Sequence, residues 1–229
     1  MKVGTDGVLL GAWAPIEAVS RQLSAFRILD VGTGSGLIAL MSAQRCPNAH
    51  IDAIDIDEAA VMQAKANFEQ SAFSHQLSAF RSSLQEWFND PSPITYHPSY
   101  DLIVSNPPYF KNSLKNPDKG RELARHTDSL SYEELAVHSA RLLNEGGQLA
   151  VILPAETEKE MIDIAQLNGL IPTRITRVYS KETKPAKRVL LAFSHQLSAV
   201  RPIEDTLVLE DEKGGRSAAY SELCKEFYL

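Results

Sequence analysis

Asn106, Pro107, Pro108 and Tyr109 follow directly on the apolar run Tyr100-Asp101-Leu102-Ile103-Val104-Ser105. A side-chain amide oxygen and a main-chain carbonyl can accept both hydrogens of a planar amino group, and an aromatic ring can cover its π face. Proline at 107 keeps Asn106 out of the α region, so the chain turns off the run instead of entering a helix. Pro107 and Pro108 lack an N–H and are not tied into a strand ladder. If the run is a strand, the four residues stand at its C-terminal end, where open α/β sheets bind ligands. Asn106 and Pro107 are thus candidate amine acceptors and Tyr109 the stacking ring. The competing reading is a plain proline turn after a strand.

A second stretch argues against that simpler reading. Ile28-Leu29-Asp30-Val31 runs into Gly32-Thr33-Gly34-Ser35-Gly36, and an apolar stretch with helical spacing follows at once. Glycines at alternate positions let the backbone approach a ligand closely, and the start of a helix offers unpaired N–H groups. A nicotinamide or flavin site more usually reads G-x-G-x-x-G. Here an acid, Asp30, stands two residues before the first glycine. It could pair with an ammonium group, which a dinucleotide does not possess. Asp55 ends the next apolar segment, at the spacing from which a carboxylate reaches a ribose diol.

Residues 30–36, Asp55 and residues 106–109, in that order, resemble the S-adenosylmethionine-dependent amino methyltransferases of class I fold. The opening Lys2-Val3-Gly4-Thr5-Asp6-Gly7-Val8-Leu9-Leu10-Gly11, the stretch from Arg188 through Ser194 and the closing Phe227-Tyr228-Leu229 are similar to the bacterial tRNA(Val) adenine-N6-methyltransferases. The resemblance implies an α/β, Rossmann-like fold: a seven-stranded, mostly parallel sheet in the order 3-2-1-4-5-7-6, with an antiparallel last strand and helices on both faces. It implies S-adenosylmethionine as cofactor and tRNA as partner. Asp30, Gly32 and Gly34 are then expected along the methionine moiety, Asp55 at the ribose and Ile56 against the adenine. Ser83 and Leu84 stand where the family usually places an aspartate for the adenine amine. Thr5, Asp6 and Gly7 match the segment that closes over the methionine end, and Asn106 belongs to both donor and acceptor sites. Pro108, Lys111, Arg125, Lys187 and Arg188 are expected to face the RNA, with His126 nearby. The family pattern also continues upstream of Lys2. The same four-residue turn serves glutamine-amide methylation in release factors, a family that carries a helical domain ahead of this fold. A non-catalytic nucleotide-binding module is a third reading.

The formal net charge of −6 is unevenly spread. Residues 109–126 carry +3 and residues 172–188 carry +5, so the rest of the chain carries −14. Such asymmetry predicts a basic rim on an acidic body, suited to phosphates. With 229 residues, 44% of them hydrophobic, the chain can bury one full core, and a single domain over residues 1–229 is expected. There is no apolar stretch of about 18 residues and no basic-then-apolar leader, so a cytoplasmic protein without membrane attachment is expected. Cys46 and Cys224 lie far apart and the six histidines are scattered, so neither a disulfide nor a metal site is expected. Nothing in the sequence speaks to oligomeric state.

These residues need elements to hold them. Apolar runs alternate with helical patterns, as in a parallel sheet with crossover helices. Strands are predicted near 27–31, 50–55, 77–81, 100–105, 147–153, 173–180 and 187–195, with a short edge strand at 205–210. Helices are predicted over 5–13, 36–45, 57–70, 131–144, 156–168 and 217–228. Asp57 should cap the third helix, with Val61, Ala64 and Phe68 on one face. Ser131-Tyr132-Glu133-Glu134 reads as a capping box, and Gly146-Gly147 should end that helix before the fifth strand. The octapeptide at residues 20–27 recurs almost unchanged at 74–81 and 194–201. Spacings of 54 and 120 residues are no constant period, which excludes a solenoid. A short DNA element translated at three tolerant places would account for it, a hypothesis that silent-site differences among the three coding copies would refute.

Overall fold

The computed structural model describes residues 4–17, 26–89, 99–108, 130–195 and 201–227. Among them are the strands β1 (Phe26–Val31), β2 (Ala49–Asp55), β3 (Leu77–Arg81), β4 (Tyr100–Ser105), β5 (Leu143–Pro154), β6 (Leu170–Tyr179), β7 (Ala186–His195) and β8 (Ile203–Val208). The helices are α1 (Thr5–Trp13), α2 (Leu37–Arg45), α3 (Glu58–Glu69), α4 (Leu84–Asn89), α5 (Tyr132–Leu142), α6 (Glu158–Leu167) and α7 (Ala218–Leu223).

The strands form one sheet in the order β3-β2-β1-β4-β5-β7-β6-β8. The expected order 3-2-1-4-5-7-6 is present among the described residues, and the short edge strand expected at 205–210 joins it at 203–208, which makes eight strands instead of the seven implied by the resemblance. β8 joins the outer edge parallel to β6, with Arg174 opposite Ile203 and Tyr179 opposite Val208. As expected, the antiparallel strand is the seventh, β7, wedged between β5 and β6.

Alternation along the strands sorts the core into two layers. Ile28, Leu102, Val104, Ala150 and Leu190 face α1, α2, α3 and α7. Leu29, Ile103, Leu149, Val151 and Leu191 face α4, α5 and α6. β4 is buried along its whole length, as a strand covered on both faces must be.

The local signals behave as their chemistry dictates. Asp57 accepts from the Ala59 N–H at the head of α3, and Val61, Ala64 and Phe68 are buried together. Ser131 and Glu134 form the reciprocal capping box of α5. β5 begins at Leu143, ahead of the two glycines, and Gly146 lies inside it at φ 77. The terminal helix is shorter than expected, six residues in α7. α4 was not anticipated. Both cysteines are buried. Among the described residues no helix is long and apolar enough to cross a membrane.

Candidate active site

Three strand ends build the site. Val31 pairs with Ile54 of β2 on one side and with Ser105 of β4 on the other, so β1, β2 and β4 stop at the same level. Past that level the chain gives the glycine turn, Asp55-Ile56 and Asn106-Pro107-Pro108. The Ser105 hydroxyl, wholly buried, donates to the Val31 carbonyl at 2.9 Å. This bond stitches β4 to β1 at the last rung and holds Asn106 alongside Gly32. Asn106 is half-buried, Pro107 buried and Pro108 exposed.

The glycine turn is fastened from several directions. Gly32 and Thr33 donate to the Ile54 carbonyl at 2.9 and 3.0 Å, and the Asn67 amide of α3 donates to the Ser35 carbonyl at 2.8 Å. Gly32, Gly34 and Gly36 all adopt positive φ, the left-handed region that glycine tolerates. The three are not equivalent in their surroundings. A Cβ at Gly36 would stand 2.4 Å from the Phe68 ring, so this residue is small to let α3 pack. A Cβ at Gly32 would meet no described atom within 4 Å, and the residue is exposed. Open space at that position suits the close approach of a ligand.

Asp30 lies beneath the turn with no exposed surface. Its Oδ2 accepts from the Thr33 hydroxyl at 2.6 Å and from the Ala39 N–H of α2 at 3.2 Å, while its Oδ1 is buried with no partner among the described residues. Burial pushes the carboxyl up to about 7, against the pull of the Thr33 and Ala39 hydrogen bonds and with a smaller push from the charge of Asp55. A buried oxygen lacking a donor is costly and fits a site that a cationic group completes. Asp55 is tied differently. One oxygen accepts from the Gly34 N–H at 2.9 Å and the other from the Asp57 N–H at 3.0 Å, and each keeps a lone pair. Next to it Ile56 leaves 49% of its surface in solvent, unusual for so apolar a side chain at a strand end.

Ser83 and Leu84 open α4. The Ser83 N–H and hydroxyl both meet the Glu86 carboxylate, and the Glu86 N–H donates back to the hydroxyl, a reciprocal cap. These bonds hold the Glu86 carboxyl below its usual range. Leu84 is buried in the core, so only its main chain can face a ligand. The signature Ser83-Leu84-Gln85-Glu86 was present in the sequence and would have revealed this helix.

α1 brings Thr5, Asp6 and Gly7 to the same edge. Pro154, at the end of β5, pairs with Arg188 on β7, so Arg188 stands at the carboxyl edge of the sheet. Its Nε donates to Asp6 Oδ2 at 2.8 Å, pinning the first turn of α1 there. Gly7 is buried, and a Cβ on it would come within 3.1 Å of Leu37 at the head of α2. Thr5 is exposed, and no side chain caps the helix. Lys187 is exposed beside Arg188. Tyr109, Lys111, Arg125 and His126 lie outside the described residues.

The basic segment at 172–188 does not form the uniform rim its charge implies. Arg174 pairs with Asp205 at 2.7 Å and lies over the Trp13 ring, Arg177 with Glu158 and Glu204, and Lys181 with Glu210 at 3.4 Å. These cations join β6 to β8, to α6 and to the chain that follows β8.

The family described as Methyltransferase small domain matches residues 11–171. The tRNA1(Val) (adenine(37)-N6)-methyltransferase of Parabacteroides distasonis is 46% identical over all of this chain and 91% of its own length. That of Flavobacterium johnsoniae is 44% identical over all of this chain and 93% of its own. Among solved structures, a predicted O-methyltransferase from Agrobacterium tumefaciens superposes with a TM-score of 0.71 at 19% identity, covering 96% of this chain and 95% of that one. TrmN from Thermus thermophilus gives 0.54 at 20% identity, over 80% of this chain and 48% of that one. At such identities the two structures speak for the fold, whereas the full-length relatives speak for the family. By fold, by the sheet-edge arrangement and by those relatives, the chain belongs to the tRNA1(Val) (adenine(37)-N6)-methyltransferase family.

Proposed function

We propose that this chain transfers a methyl group from S-adenosylmethionine to the N6 amine of an adenine in tRNA, adenosine 37 of tRNA1(Val), the activity for which its relatives are named. The observation that carries the chemistry is the Ser105–Val31 hydrogen bond, which sets Asn106 and Pro107 beside the glycine turn at one sheet edge.

The residues present fit the donor. Asp30 Oδ1, without a hydrogen-bond partner among the described residues, would meet its ammonium, and Gly32 would leave room for the methionine chain. The spare lone pairs of Asp55 would accept from the ribose hydroxyls, with Gly34 held close by the same carboxylate. Ile56 would cover one adenine face, and Ser83 with the Leu84 main chain would border its edge. Thr5, Asp6 and Gly7 would close the methionine end. When bound, the donor supplies an electrophilic methyl on a sulfonium centre.

An adenine amine is a weak nucleophile because its lone pair is delocalised into the ring. Acceptance of its hydrogens by the Asn106 side-chain oxygen and the Pro107 carbonyl favours a more tetrahedral nitrogen, whose lone pair then points at the methyl. The benefit grows as charge develops, so it lowers the barrier and not merely the binding energy. Tyr109 would stack on the displaced base and fix its plane. No general base is needed before transfer, because the nitrogen becomes acidic once alkylated. Pro108, Lys111, Arg125, Lys187 and Arg188 would face the RNA, and a tRNA substrate places the work in the cytoplasm, within one domain.

The test is incubation with unmodified tRNA and labelled donor, followed by nucleoside analysis. N6-methyladenosine at position 37 is expected. Label found in a release-factor glutamine and not in tRNA would replace this reading with its protein-directed counterpart.

A further inference from the structure

Of the six basic residues in the 172–188 segment, four meet carboxylates of this chain: Arg174, Arg177, Lys181 and Arg188. Lys184 and Lys187 are exposed, and among the described residues neither lies in an ion pair with a carboxylate. The segment's charge therefore divides into a structural share and a smaller share turned to solvent. Lys184 belongs to the connection between β6 and β7, and Lys187 is the second residue of β7, directly after it.

That connection stands at the catalytic edge. β6 runs in the same direction as β5, so the end of β6 and the start of β7 both emerge where β1, β2 and β4 end. Ser105 pairs with Val151, and Arg188 with Pro154, three residues further along β5. Two strand spacings across and three residues along make the Ser105-to-Arg188 separation roughly 14 Å. A few nucleotides of extended RNA bridge that distance. The connection also has a defined shape: the Lys184 N–H donates to the Lys181 carbonyl at 3.1 Å, and Pro185 fixes the backbone that follows.

We propose that the β6–β7 connection and the first residues of β7 form a backbone-reading arm whose Lys184 and Lys187 contact phosphates of the tRNA strand flanking the displaced adenine. The claim rests on the tRNA reading above and adds the surface that meets the RNA. Phosphate contacts carry no sequence information, so the two lysines contribute affinity and register. Arg174 and Arg177 take no part in it; their guanidinium groups are held by Asp205, Glu158 and Glu204. Glu182 shares the arm as an exposed acid, and it opposes phosphate approach.

Equilibrium binding of unmodified tRNA, measured by fluorescence anisotropy across a salt series, tests this. The Lys184→Ala/Lys187→Ala double variant should weaken binding roughly five- to thirtyfold and lower the slope of log K against log salt by about 1.5, the signature of two lost phosphate contacts. Calorimetric affinity for S-adenosylmethionine should stay unchanged, which excludes a folding defect. Glu182→Gln should tighten tRNA binding about two- to threefold with a steeper slope. An Arg174→Gln variant should leave the slope where it was. A wild-type chain that binds tRNA with a slope the double variant shares overturns the arm alone. A wild-type chain that binds no tRNA overturns the functional reading and the arm together.

Discussion

Asp30 and Asp55 are met by backbone N–H groups and one hydroxyl, whereas Glu158, Glu204 and Asp205 at the other end of the sheet are met chiefly by guanidinium groups. The two regions contain similar side chains and use them differently. Around the glycine turn, the carboxylates organise a loop and, among the described residues, retain capacity: one oxygen of Asp30 has no partner and both oxygens of Asp55 have lone pairs to spare. Around β6 and β8, opposite charges are matched within the chain and stitch an edge strand to its neighbours. Unsatisfied polar capacity marks the end that a ligand completes, and mutual satisfaction marks the end that serves as scaffold.

The harshest way to break this contrast is to remove the acceptor at the open end. Asn106→Ala should lower turnover roughly a thousandfold, because the bond it makes to the amine strengthens only as charge develops. Affinity for S-adenosylmethionine should remain within about tenfold by calorimetry. Rapid methylation by this variant would mean that the amine is activated elsewhere. Next in size is the packing that shapes the turn. Gly36→Ala places a methyl against the Phe68 ring in a left-handed backbone, and a loss of about 2–4 kcal/mol in chemical denaturation is expected. The corresponding change at Gly32 meets open space, so it should cost only the backbone strain and act mainly on donor affinity.

Much of the open end was legible because its signals are local. A glycine turn with an acid two residues before it is one short cluster, and an amide before two prolines, far along the chain, is another. The Asp57 and Ser131 caps were readable for the same reason. The bond that brings the two motifs together was not, since Ser105 and Val31 are 74 residues apart and a serine at a strand end announces nothing. Asp30 was expected to face an ammonium, but its bonds to Thr33 and Ala39 give it a second task, supporting the turn from below. At the scaffold end, charge counting misled. Arg177 finds Glu158 and Glu204 at separations of 19 and 27 residues, so a count over one segment sees the cations without the acids that neutralise them. β8 was read as a short edge strand at 205–210 but had no place in the strand order. The order came from the resemblance, and the run at 203–208 buries only Leu207, so alternation leaves its neighbour and register unassigned.

A smaller effect sharpens the contrast through pH. The Asp30 carboxyl is raised to about 7, chiefly by burial, so the folded chain resists its ionisation. Its contribution to stability is present in full below the ordinary carboxylate range and is lost as pH rises through about 7. An ammonium at Oδ1 favours the ionised form, so donor affinity should move in the opposite sense, tightening about tenfold between pH 6 and 8. Calorimetry at several pH values reads this directly. Asp30→Asn should flatten the profile, and an equally steep profile in that variant would assign the titration to another group.

The smallest expected effect lies at the scaffold end and asks whether its charges are structural alone. Arg177 is one-third exposed and bridges a carboxylate on α6 to one on β8, so it gains from a network yet remains screened by water. Replacing it by Gln leaves Glu158, the more buried of the two acids, without its cation. A loss of about 1 kcal/mol in unfolding free energy is expected, shrinking as salt is added. Donor affinity and the salt dependence of tRNA binding should not move. If they do, Arg177 is reaching beyond its two carboxylates, and the separation between an end that binds and an end that braces would have to be redrawn along β6.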